Sequence, residues 1–175
     1  MARIAPVTER DSLPEDKRPI YDSIAASRGR VGPPFSYLLN SPEVAGRVAH
    51  LGAYLRFESL LPPVEREIAT LVAAWESKCD LEWAGHKRLG RQAGVREETI
   101  EAIAGEGFAG LPEDEVLIVR YGRELLRTHR VSESTFEAAR ARFGNQGVLE
   151  LTAIFGYYAM LASMLNALEV EPPAQ

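Results

Sequence analysis

Residues 67–86 read Glu67-Ile-Ala-Thr-Leu-Val-Ala-Ala-Trp-Glu-Ser-Lys-Cys79-Asp-Leu-Glu82-Trp-Ala-Gly-His86. Ile68, Leu71, Val72 and Trp75 recur at helical spacing and form one apolar stripe. A second helix is expected from about Asp80 to Ala93, stopped at Gly94. On it, Cys79, Glu82, His86, Leu89 and Ala93 follow at +3, +4, +3 and +4, which is one helix face. Leu89 and Ala93 should turn that face inward. Three reactive side chains then point into the fold, and an inward acid without a partner is expensive. A break in patterning of this kind often marks a site.

The register of a helix hairpin adds Glu67. If the chain turns near Ser77–Asp80, Glu67 lies about eleven residues before the turn and His86 about seven after it. Antiparallel packing brings them level to within about a turn. A histidine held by one carboxylate and one turn from another is what a proton relay needs, with a pKa near neutrality. Cys79 would stand at the N-terminus of its helix, where the dipole favours a thiolate. Blander readings exist for each part. A lone buried cysteine is usually a small core residue, and a Glu–His pair one turn apart is often a solvated ion pair.

Working outward, helical signals dominate and period-2 runs are missing, so the expected fold is all-α. Pro14 with Glu15-Asp16 should open a helix reaching about Ala26. Gly29, Gly32, Pro33 and Pro34 break the chain, and Phe35–Leu39 reads as an apolar connector. Ser41-Pro42-Glu43 looks like a capped start for the helix carrying Val44, Val48, Leu51 and Leu55. Pro62-Pro63 starts the next helix, and short helices follow near Glu97–Ala104 and Glu113–Arg127. Ser132 caps another. The apolar run to Leu168 reads as a central buried helix from about Gln146, rather than a membrane span, because it carries Glu150 and Asn166. No repeat or linker appears. One domain over 1–175 is expected, with a core over 13–170 and a loose tail at 169–175.

Composition narrows the partners. The chain of 175 residues carries 25 acidic and 20 basic residues, a formal charge of −5, which disfavours nucleic acid and anionic membranes. It has one cysteine, so neither an internal disulfide nor a thiolate zinc site can form from it. His50, His86 and His129 share no metal spacing, and no metal site is expected. Met1–Pro6 holds no apolar signal core, and the protein is read as cytoplasmic. The apolar last helix and the connectors exceed what one small domain hides, so a homo-oligomer is expected.

The sequence resembles the carboxymuconolactone decarboxylase and alkylhydroperoxidase D-like superfamily. The hydroperoxidase branch has a glutamate, eleven residues, then Cys-x-x-Cys-x-x-x-His, and Glu67, Cys79 and His86 fit those positions. The second cysteine position is Glu82. Cys79-Asp-Leu-Glu82-Trp83-Ala-Gly-His86 is similar to a variant seen in decarboxylase-like members. Pro33-Pro34-Phe35, Tyr54-Leu55-Arg56 and the helix through Tyr157, Met160, Leu161 and Asn166 agree as well. The resemblance covers about 13–170. It implies a helical bundle with a central site-bearing hairpin, trimers or hexamers, and no organic cofactor.

Glu82 cannot cycle with Cys79 as a dithiol, so acid–base chemistry is favoured over two-cysteine peroxidation. The expected function is a cofactor-free lyase or isomerase acting on a small organic acid or lactone. In it His86 is the acid–base group, Glu82 a second acid or an orienting group, and Glu67 sets the tautomer. Candidate substrate contacts are Arg56, His50, Tyr54 and Trp83, although Arg56 alone reads more readily as a surface arginine. A single-cysteine thiol peroxidase using Cys79 and an external reductant, or a non-catalytic ligand-binding or assembly module, are the alternatives.

Overall fold

A computed structural model describes residues 2–105 and 107–172. Among them no strand occurs, and every regular element is helical. Although the sequence carries no linker signal there, the chain divides into two compact units, Met1–Glu58 and Ser59–Gln175.

In the first unit, Glu15–Lys17 forms a 3₁₀ turn and α1 spans Arg18–Arg28. The expected start at Pro14 is displaced because Pro19 lacks an N–H and fits only in a first α-helical turn. Gly29 closes α1 at φ 77°, a left-handed value that suits glycine. Phe35–Leu38, expected as a connector, is a short helix, α2. The third helix, α3, spans Pro42–Phe57. Ser41 occupies its N-cap position without making a side-chain cap bond. The core between α1 and α3 holds Ile24, Ala45 and Leu55. The N-terminal strap is pinned by Val7 N–H donating to the Ser36 carbonyl (2.7 Å) and by an Arg10–Asp22 pair (2.7 and 2.9 Å).

The second unit holds α4 (Pro63–Glu76), α5 (Asp80–Ala93), α6 (Glu97–Ala104), α7 (Glu113–Thr128) and α8 (Glu133–Ala167). Its central helix is α4, which packs against α5, α6, α7 and α8 and is buried continuously from Glu67 to Ala74. The sequence placed the last helix in the middle of the fold or of an oligomer; within the chain α8 lies against α4 and α7, and 56% of its most apolar window is buried. It is long and apolar enough to cross a membrane by composition, but it also carries the buried Glu150, which accepts from Leu60 N–H (2.6 Å) and Gln146 (2.8 Å).

The helices expected from Ser132 and from about Gln146 follow one another along α8 with a break between them. Ser132 caps α8 by accepting from Thr135 N–H (3.4 Å), and Gly144 (φ 68°, ψ 178°) breaks it into 133–143 and 145–167. Close packing fixes one glycine elsewhere. A Cβ on Gly122 of α7 would fall 2.6 Å from Phe155 Cζ and 2.7 Å from Val72 Cγ1. At the C-terminus, Glu169 and Val170 N–H groups bond back to Asn166 and Leu165 carbonyls, so the chain is tied as far as Val170. The remaining tail, 173–175, lies outside the described residues.

Candidate functional site

The site is built on the α4–α5 hairpin. Its turn is hydrogen-bonded throughout: Ser77, Lys78 and Cys79 N–H groups donate to the carbonyls of Ala73, Trp75 and Ala74, each at 3.0 Å. Lys78 takes the left-handed conformation (φ 52°) that reverses the chain. Asn166 of α8 donates to the Ser77 carbonyl at 2.8 Å. The inward face of α5 runs Cys79, Glu82, His86, Gly90. The expected continuation through Leu89 and Ala93 gives way to Gly90 because an α-helix repeats at 3.6 residues rather than 3.5. With no side chain, Gly90 lets α5 approach Leu71 and Val95; a Cβ would sit 3.3 Å from Leu71 Cδ1.

This close approach brings Glu67, His86 and Glu82 together. His86 Nδ1 lies 2.8 Å from Glu67 Oε2, and Nε2 lies 3.3 Å from Glu82 Oε2. All three residues are buried, at 8%, 6% and 6% exposure for Glu67, Glu82 and His86. Burial alone would push the imidazole pKa down. Hydrogen bonds to Glu67 and Glu82, with their negative charges, outweigh it and raise His86 from 6.5 to about 9. The near-neutral value expected from the sequence is therefore corrected. At neutral pH the ring is an imidazolium with both N–H groups donating to carboxylates. Tyr158 of α8 packs edge-on against it, centroids 5.0 Å apart at 80°. Sequence reasoning missed Tyr158, because no spacing rule links α5 to α8.

Cys79 stands at the N-cap of α5, as expected, and is buried. The expected thiolate is not favoured. Burial raises the thiol pKa, and the Glu82 and Asp80 charges add to this, against backbone N–H groups of Glu82 and Leu81 that lower it. Two effects of opposite sign meet at this sulfur, and desolvation is the larger.

The proposed substrate contacts are distributed differently. Arg56, His50 and Tyr54 lie on α3 in the first unit, with the Arg56 guanidinium 5.4 Å from the Phe57 ring centroid. Trp83 lies on α5 beside Glu82 and pairs with Trp75, centroids 5.0 Å apart at 55°. Trp75, read from spacing as part of one apolar stripe, is 38% exposed, while Ile68, Leu71 and Val72 are fully buried. The two indoles and Cys79 line a cleft of about 350 Å³. Among the described residues, no group of three or more His, Cys, Asp or Glu has a geometry that could hold a metal ion.

Comparison with known proteins agrees with this architecture. No curated protein sequence matches significantly. Among solved structures, the chain is similar to an uncharacterized peroxidase-related protein from Silicibacter sp. TM1040, with TM-score 0.80 and 18% identity over 99% of this chain and 92% of that one. It is equally similar to an alkylhydroperoxidase AhpD core protein from Ralstonia eutropha JMP134, with TM-score 0.80 and 21% identity over 98% and 92%. A protein of unknown function from Agrobacterium tumefaciens matches with TM-score 0.70 and 19% identity over 79% and 97%. Residues 42–110, which include the whole hairpin, match the carboxymuconolactone decarboxylase family model. Over these residues the chain is thus similar to the carboxymuconolactone decarboxylase family, and it shares its helical fold with the peroxidase-related structures.

Proposed function

We propose that the protein is a cofactor-independent acid–base enzyme of the carboxymuconolactone decarboxylase type, working in the cytoplasm on a small organic acid or lactone. The observation that supports this most is the buried His86 held between Glu67 and Glu82. A pKa of about 9 keeps the ring protonated at neutral pH, so His86 serves as a general acid. In a decarboxylation, the bond to the leaving carbon dioxide breaks and its electron pair flows into the neighbouring unsaturated system. The proton on Nε2, oriented by Glu82, quenches the resulting enolate or dienolate, and water then reprotonates the ring. Glu67 holds Nδ1–H throughout and fixes the ring plane.

The test is a screen of cyclic and unsaturated acids for carbon dioxide release, followed by His86→Ala. General acid catalysis is worth about 10²–10⁴ in rate. The variant should lose at least about 100-fold in kcat, and unchanged turnover would overturn the assignment. A second reading, a single-cysteine thiol peroxidase, has support in the cleft that Cys79 lines and in the peroxidase-related description of its structural neighbours. Cys79→Ser separates them: a lyase keeps most of its activity, and a peroxidase loses it.

A further inference from the structure

The chain contains two tryptophans, and both line one cleft beside the α4–α5 turn. The cleft volume, about 350 Å³, falls within the range of small-molecule pockets. Trp75 and Trp83 form a tilted aromatic wall, and the buried Cys79 lines the same cleft. None of Glu67, Glu82 and His86 lines it, but Glu82 follows Cys79 by one helical turn on the same face. The cleft therefore adjoins the acid–base group without being the same set of atoms.

The charges around the cleft are unequal in availability. Glu76 and Arg127 neutralise one another through a bidentate pair, with both contacts at 2.7 Å. Lys78 is exposed at the tip of the turn, held there by its left-handed backbone, and makes no ion pair among the described residues. Asp80, in the first turn of α5, is the opposing charge on the rim. Indole faces attract flat conjugated groups, and an uncommitted ammonium attracts a carboxylate.

We infer that this cleft binds a planar, conjugated carboxylate, with its flat face on one of the two indoles, its edge toward the other, and its carboxylate at Lys78. This deepens the proposed function by naming the class of acid and where it docks. Its test is kept separate by reading binding without turnover.

Because both tryptophans line the cleft, intrinsic fluorescence reports on it directly. The full-length protein is titrated with sorbate, a flat dienoate, and with the corresponding dienol, which keeps the chain and lacks the charge. Equilibrium dialysis of sorbate provides a second readout. Sorbate should give a saturable change in emission, and the dienol should bind about tenfold more weakly. Lys78→Glu, an exposed substitution, should weaken sorbate about tenfold or more and leave the dienol unaffected, while Asp80→Asn should tighten sorbate. A single charge-assisted hydrogen bond is worth changes of this size.

Absence of saturable sorbate binding by both readouts would overturn the inference. So would equal binding of acid and alcohol, or wild-type affinity in Lys78→Glu. Sorbate binding that persists while no acid is turned over leaves the cleft standing and counts against the proposed lyase. Turnover that is indifferent to Lys78→Glu retains the lyase and removes the cleft.

Discussion

The proton on His86 should be measurable as stability. Its folded pKa, about 9, lies above the ordinary 6.5, so the native state holds this proton more tightly than the unfolded chain does. The contribution is complete below pH 6.5 and is lost as pH rises through about 9. Across that window the native protein binds about one more proton than the unfolded one. The unfolding free energy should therefore fall by about 1.4 kcal/mol per pH unit, roughly 3 kcal/mol in all. Cys79, whose thiol is also raised, acts in the same direction at the upper end, so the experiment is run in a Cys79→Ser background. Urea unfolding at fixed protein concentration from pH 6 to 10, with NMR titration of the His86 ring, gives slope and pKa independently. The Glu67→Gln, Glu82→Gln double variant keeps burial and removes both carboxylates, so its His86 should titrate below 6.5 and the slope should vanish. A free energy that stays flat across the window, or a ring pKa at or below 6.5 in the parent, would refute the electrostatic account.

Three other expectations concern the scaffold. Gly122→Ala drives a methyl group into Phe155 and Val72 and should cost about 1–3 kcal/mol, seen as a lowered thermal midpoint. Arg123 donates to the carbonyls of Ala102, Ile103 and Gly105 at the end of α6 and lies 3.6 Å from Glu76. Arg123→Ala should destabilise by roughly 3 kcal/mol, and lysine, which lacks the forked donor geometry, should fail to restore it. Exposed Leu149, Leu60 and Phe57, at 69%, 61% and 55%, fit the proposed homo-oligomer, a trimer or hexamer. Light scattering should give a multiple of 19.3 kDa, and the monomer mass would refute it.

Much of the hairpin was legible because its signals are local. Gly94 at φ 100° ends α5 where a glycine was expected to end it. The spacing of Cys79, Glu82 and His86 requires only one helix, and the pairing of Glu67 with His86 requires only a short turn between two. What escaped the sequence depends on sums or on distant packing. The pKa of His86 is the balance of one desolvation and two hydrogen bonds, and only distances set that balance. The thiol of Cys79 pits a helix dipole against burial, and spacing gives no measure of either. Trp75 shares the periodicity of Ile68 and Leu71, yet it lies at the end of α4, where the covering helices run out.

Gly90 has a consequence of a different kind. It carries no reactive group, yet it acts as a spacer gauge between two rods. Positions 79 and 82 can change chemistry while the rods stay at the same distance. At position 90 even a methyl group would meet Leu71 at 3.3 Å and Val95 at 3.4 Å, so these side chains would have to shift by a few tenths of an ångström. For an engineer the hairpin is thus divided into exchangeable tooling and a fixed jig: new functional groups belong at the first turn of α5, and the glycine two turns further on is the part to leave alone.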